Sequence, residues 1–392
     1  MSTTPRRILL AKDTINRGDL AALAKWLTKS ETPRLTQGPL VRKFEEAYAA
    51  WLGTTYAVFC NSGSSANLLA FAALLYGKRL GSGTVLAPAV AWPTTIAPAL
   101  QLGLKVRLVD ADEASWGWPL AIDESAPTAI LVDVLGVPSV RPGSHITATL
   151  IEDCCGAHGS TIGTKKVGTF GALSTFSFYF GHAMSTIEGG MVCTDDGPLY
   201  DMLLMLRSHG WAVDLARETA ETLFAATGGD LFRERFTFYH PGFNLRGTDL
   251  QAFLGLRGLK RLDESVEKRA ENATFYRLLL RRLGLVVQEP RACTAAAPIG
   301  VGVLAPSSEV RQRIAAALTA ANIEVRAVGG GSMARQPFMR AWSQNAAVMS
   351  DPTLHNFPVA DRIHDCGFQL PNHPGLTKTD IRRVVNVIAG AL

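Results

Sequence analysis

LSTFSFYFGHAMSTIEGGMVCT, residues 173–194, holds two strand signals around one chemically loaded turn. From Leu173 to Phe180, the aromatic residues Phe176, Phe178 and Phe180 alternate with Thr175, Ser177 and Tyr179. A period of two sends successive side chains to opposite faces. The spacing therefore predicts a strand with one aromatic face and one hydroxyl-bearing face. Gly190–Thr194 reads as a second short apolar strand. Between them, His182 follows Gly181 directly after the first strand. A histidine there is either a satisfied structural group or an acid/base, and the spacing alone leaves both open.

Upstream, strand and helix signals alternate. Pro39 opens a helix carried by Val41, Phe44, Ala47, Tyr48 and Trp51. Tyr56–Cys60 reads as a strand, and an Ala/Leu-rich helix runs on to about Leu75. Thr84–Ala87, Lys105–Val109, Thr128–Val132 and Thr149–Ile151 are further strands, with a helix over Pro93–Leu102. Such alternation predicts a mainly parallel sheet covered by helices on both faces. Downstream, Asp195–Pro198 starts a helix ending near Ser208. Helices over Asp249–Leu262, Glu264–Leu283 and Ser307–Ala321 then accompany strands near Ile299–Leu304 and Glu324–Val328, and a last helix starts at Thr377. The fold class is α/β. A large domain over residues 1–248, N-terminal segment included, precedes a smaller C-terminal α/β domain over residues 249–392.

Composition narrows the function. Of 392 residues, 47% are apolar and 19% charged, which suits a large core and argues against disorder. The net charge of +5 is scattered, so it fits an anionic small ligand better than nucleic acid, which calls for a clustered basic face. Six cysteines form no CxxC or CxC pair, so neither a disulfide framework, a zinc ribbon nor a local iron–sulfur motif is expected. No signal peptide and no long uncharged apolar run is evident, so a cytoplasmic protein without a membrane partner is expected.

Three segments could carry chemistry. Asn61–Asn67 sets glycine and hydroxyl residues between a strand and a helix, where backbone N–H groups and the helix dipole can hold an anion. An ordinary tight connection has the same pattern. Ile151–Cys155 ends a buried strand with Glu152 and Asp153, one of which could face a ligand or cap the next segment. Trp92-Pro93 is a core contact or a stacking surface, and His209, within Ser208–Trp211, is as ambiguous as His182.

These turns, in this order, resemble the DegT/DnrJ/EryC1/StrS family from about Thr36 to the C-terminus. The resemblance implies the PLP-dependent transferase fold of type I and a cofactor, pyridoxal phosphate (PLP) or its aminated form, pyridoxamine phosphate (PMP). Asn61–Ala66 resembles the family's phosphate turn, Pro88–Thr95 its aromatic stacking segment and Ile151–Asp153 its pyridine-binding strand. The family's cofactor lysine stands five residues after Ser177; here that place is His182. This swap, with SHGW at 208–211, FNLR at 243–246 and RQPF at 335–338, is similar to the lysine-less nucleotide-sugar 3-dehydratases of the family.

By that resemblance Gly63, Ser64, Ser65 and Ser177 hold the phosphate, Trp92 stacks on the ring and Asp153 keeps the pyridine nitrogen protonated. His182 is the acid/base, His209 lies near the cofactor, and Asn244 reaches the phosphate of a partner subunit in a homodimer. An imidazole makes no stable imine, so the cofactor is held without a covalent link. Histidine titrates near neutrality and can both take and return a proton. The implied reaction removes the C3 hydroxyl of a nucleotide-activated 4-keto-6-deoxyhexose to give a 3-deoxy sugar, with glutamate as amino donor. Lys165 and Lys166, in a polar Thr/Gly turn, read as surface residues. Two positions depart from the pattern: Gly156 stands where relatives carry Glu or Gln, and Ala183 where the subgroup has a second histidine. The stretch Gly136–Thr149 is short, and Arg217–Arg235 reads as an extended loop. These departures leave room for a different ketone substrate, as in natural-product assembly, or for a non-catalytic relative.

Overall fold

The computed structural model describes residues 6–29, 34–81, 83–119, 128–141, 149–229, 231–291, 294–343 and 356–392. Cys293 and residues 142–148 of the short stretch fall outside them.

A seven-stranded sheet organises the first part of the chain. Its spatial order is Tyr56–Cys60, Gly190–Thr194, Leu173–Ser177, Thr149–Asp153, Thr128–Val132, Thr84–Pro88 and Lys105–Val109. Only Gly190–Thr194 runs against its neighbours; the other pairings are parallel. Beyond Asn67 the helix Gly63–Tyr76 is apolar all round and lies buried on one face, against Gly197–Arg207 and the sheet. That is the expected place for a helix without a polar side. Pro39–Leu52 and Asp249–Leu259 cover the other face, where Phe44, Tyr48, Phe59, Phe176 and Phe178 pack edge to face or tilted.

A second, antiparallel sheet joins Val286–Val287, Gly300–Leu304 and Gly367–Pro371. Helices Leu262–Arg281, Ser308–Ala320 and Lys378–Ala389 bury their apolar faces around it. The N-terminal segment packs here: Ile8 joins this core and bridges Ile323, and Arg7 pairs with Glu324.

Several expectations are corrected. The strand over Leu173–Phe180 stops at Ser177, because the chain then turns, with the His182 N–H donating to Tyr179 O at 2.9 Å. Phe176 and Phe178 stay on the buried face, but Phe180 is left 40% exposed. Glu324–Val328 is not a strand; only single bridges, Ile8–Ile323 and Arg326–Gln369, hold this segment. Arg217–Arg235 is not an extended loop: Arg217–Ala225 is a helix and Leu231–Phe236 a 3-10 turn. Lys166 is half-buried rather than on the surface, its Nζ donating to Trp51 O and lying over the Trp51 ring.

Candidate active site

The parallel strands end at one cavity of about 660 Å³. Ligand sites of open α/β sheets gather at this edge. Alternation along Thr149–Asp153 separates its two acids. Asp153 enters the cavity wall. Glu152 points the other way, taking N–H groups of Gly168, Phe170 and Gly171 and pairing with Arg141, so its role is structural.

Asp153 is 4% exposed and tightly buttressed. Its Oδ2 accepts from Thr95 Oγ1 at 2.7 Å and from Asn67 Nδ2 at 3.0 Å, and its Oδ1 from the Cys155 N–H at 3.2 Å. Asn67 is held in turn by the Thr175 hydroxyl at 2.6 Å. Asn67 and Thr95 lie in segments already singled out by sequence, but the link between helices and strand is long-range and invisible there.

The helix Gly63–Tyr76 starts at the same wall, capped by Ser62, whose Oγ accepts from Ser65 N. Ser62, Gly63, Ser64 and Ser177 line the cavity. A Cβ on Gly63 would fall 2.6 Å from the Ser177 Cβ, so only glycine lets the helix N-terminus approach this strand end. Ser65 does not line the cavity; its hydroxyl is taken by Ser62. Trp92 is the N-cap residue of Pro93–Gln101 and keeps its ring 55% exposed in the cavity wall. Cys155 also lines it, but burial and then Asp153 raise its thiol far above the usual range, so it stays protonated.

His182 sits in the wall, with its Nδ1 buried and unpartnered among the described residues. Burial, then the neighbouring His158, Arg269 and Arg326, push its pKa down to about 3. Contrary to the expectation from sequence, the imidazole therefore does not titrate near neutrality; it is neutral at physiological pH and offers a lone pair. No lysine is in this wall among the described residues. Ala183, the second departure, points into the apolar core beneath, whereas Gly156 lines the cavity beside Leu135 and Ile299.

His209 does not reach the cavity: its ring packs edge-on against Trp211 at 5.5 Å. Asn244 is exposed, outside its own cavity, and accepts from Arg246 Nε at 3.1 Å. His158, not anticipated from sequence, underpins Ser177. Its Nε2–H donates to Ser177 O at 2.9 Å, leaving Nδ1 to accept from Tyr48 OH at 3.0 Å. Burial pushes the His158 pKa down to about 4. The unfolded chain binds this proton below about pH 6.5, the native chain only near pH 4, so stability is full above 6.5 and falls as pH drops toward 4. The loss from His158 is on the order of 3 kcal/mol by pH 4. Melting temperatures of the cofactor-free chain should fall between pH 7 and 4.5, and His158→Gln should flatten that slope. An unchanged slope in the variant would remove His158 as the cause.

A cavity at the carboxyl ends of a mainly parallel seven-stranded sheet, walled on its far side by a second α/β layer, belongs to the aminotransferase-fold enzymes that use PLP. The chain belongs to the DegT/DnrJ/EryC1/StrS aminotransferase family, which it matches over residues 16–389. It is 35% identical to a GDP-4-keto-6-deoxy-D-mannose 3-dehydratase of Yersinia pseudotuberculosis over 69% of this chain and 71% of the relative. The solved E. coli GDP-4-keto-6-deoxy-D-mannose-3-dehydratase with bound hydrated PLP superimposes with a TM-score of 0.85 at 28% identity, covering 98% of this chain and 100% of that one. A GDP-perosamine synthase of Caulobacter vibrioides is 28% identical over 89% of each chain. Among the described residues no helix is long and apolar enough to cross a membrane, and no cluster of metal-ligating side chains occurs.

Proposed function

We propose that the protein is a cytoplasmic PLP/PMP-dependent 3-dehydratase of a nucleotide-activated 4-keto-6-deoxyhexose, with glutamate as amino donor. The observation that carries this reading is His182: a neutral imidazole in a cavity wall that holds no lysine among the described residues.

The residues fit the cofactor. The helix N-terminus at Gly63 with the hydroxyls of Ser64 and Ser177 suits a phosphate; Asp153 suits a protonated pyridine nitrogen; the open face of Trp92 suits the ring. Bound there, the cofactor supplies an amine for condensation with a ketone and an electron sink. The chain supplies orientation and proton traffic. His182 accepts a proton at a ring nitrogen in one step and returns it in another. Asp153, fixed by Thr95 and Asn67, holds its charge at one point without rearranging. Val132, Val134, Leu135 and Ile299 limit water on the same side.

The test is product analysis with a panel of nucleotide-activated 4-keto-6-deoxyhexoses, PLP and glutamate. A 3-deoxy sugar is expected; a 4-amino sugar as sole product would instead class the chain with the aminotransferases. Borohydride treatment of the PLP-loaded chain should leave no cofactor on the protein, and a pyridoxyl-lysine peptide would overturn the non-covalent reading. A second reading, a different ketone substrate, is favoured by Gly156, which leaves the wall to the apolar Leu135 and Ile299. The same panel, extended to ketones without a nucleotide, decides between them.

A homodimer with shared sites is part of the proposal. Asn244 lies outside its own cavity, and Phe232, Phe236 and Phe238 nearby in sequence are 90%, 72% and 55% exposed. Sedimentation should give a dimer, and a monomer that retains cofactor would refute it.

A further inference from the structure

We infer that Arg326 receives the α-carboxylate of the amino donor, an α-amino acid of the glutamate type, in the cavity that also presents His182. This rests on the cofactor reading above and names one of its substrate contacts. Among the described residues, Arg326 is the only arginine or lysine in the cavity wall. It is fixed on one side only. Its Nε donates to Gln369 Oε1 at 2.9 Å, and its main chain pairs with that of Gln369. No carboxylate pairs with its two terminal nitrogens among the described residues. Glu324, two residues earlier on the same wall, is committed elsewhere: it takes Arg7 Nη2 at 2.6 Å and the Leu10 N–H at 2.7 Å.

A guanidinium anchored through Nε, with its fork left open, matches a carboxylate bidentately. Burial lowers the Arg326 pKa, so its charge is partly desolvated, a cost that an arriving anion offsets. The cavity's other anion-binding feature, the N–H and hydroxyl cluster at Gly63, Ser64 and Ser177, contains no cation; the two features are suited to different anions. Position selects the carboxylate over a nucleotide diphosphate. Arg326 is near enough for its charge to act on both His182 and Tyr179. His182 must take the proton from the donor's α-carbon, and the α-carboxylate is bonded to that same carbon. A diphosphate hangs from C1 of the sugar, away from the C3 and C4 atoms that react.

The experiment compares L-glutamate with its α-amide, isoglutamine, in wild type, Arg326→Gln and Arg326→Lys. Calorimetric titration reads binding, and the spectral change from PLP to PMP reads single-turnover amination. Wild type should prefer glutamate by ~10²-fold, the scale of a lost charge-assisted hydrogen-bond pair. Arg326→Gln should lose most of that preference while isoglutamine, PLP affinity and melting temperature change little, and Arg326→Lys should recover part of it. Equal use of both donors by wild type, which needs no variant to fold, overturns the assignment. So does an undiminished glutamate preference in Arg326→Gln. Either result leaves the cofactor reading standing. A wild-type chain that takes up no PLP overturns the cofactor reading itself, and this inference with it.

Discussion

His182→Asn should retain PMP and lose dehydration by ~10²–10⁴-fold, the usual contribution of a positioned proton-transfer group. The retention follows from geometry: the helix N-terminus, Ser177, Asp153 and Trp92 occupy the wall independently of the imidazole. The loss follows because asparagine offers an amide at the same place and no basic nitrogen. A purely structural histidine gives the opposite pattern. It would be spent on hydrogen bonds, as His158 is with Tyr48 and Ser177, and its replacement would cost stability rather than turnover. His182 uses its main chain for contact, donating to Tyr179 O and accepting from Arg269 Nη2 at 3.0 Å, and both bonds survive substitution. Turnover and melting temperature of the variant, measured together, separate the roles; near-normal turnover on the true substrate ends the catalytic assignment. His182→Lys probes the same point from the other side. It should make PLP attachment trappable by borohydride and shift the chain toward transamination, because the amine competes with substrate for the aldehyde.

Local pattern carried the sheet and much of the cavity, and failed where contacts are long-range. Alternation of Phe176, Ser177 and Phe178 gave the right faces because those residues lie in or beside a paired strand. It failed at Phe180, where the chain turns away and the period has no sheet to act on. Ile323, Val325 and Arg326 alternate well enough to read as a strand, yet each side meets only one partner residue, Ile8 or Gln369. Which residues face the cavity could be read for Gly63, Ser64, Trp92, Asp153 and Ser177, since each stands at a strand end or helix start, and for His182 in the turn that follows such a strand. Ser65 could not be sorted from Ser64, because a hydroxyl one residue on is turned back to the cap at Ser62. His209 carried a motif but no location; its positive φ of 61° and the Gly210 turn direct the ring onto Trp211. Arg326 had no motif at all. Its significance comes from a cavity assembled by segments more than two hundred residues apart.

Asp153→Ala should lower turnover by ~10²–10³-fold, the scale of removing one preorganised electrostatic partner of a developing charge. Two effects combine, and they can be separated. The first is structural: Thr95 Oγ1 loses its acceptor in a buried setting and Asn67 Nδ2 keeps only the Thr94 carbonyl, a loss of about 1–3 kcal/mol. That part should appear as a lower melting temperature of the cofactor-free chain. The second is electrostatic and exists only if the carboxylate faces a protonated ring nitrogen. A cofactor analogue with carbon in place of that nitrogen removes the partner without touching the protein. If Asp153 acts on the nitrogen, wild type with the analogue and Asp153→Ala with PLP should lose similar activity. Asp153→Ala with the analogue should then be little worse than either, since both changes delete one interaction. Losses that multiply in the double combination would mean Asp153 only braces Asn67 and Thr95, and the pyridine contact would have to be sought elsewhere in the wall.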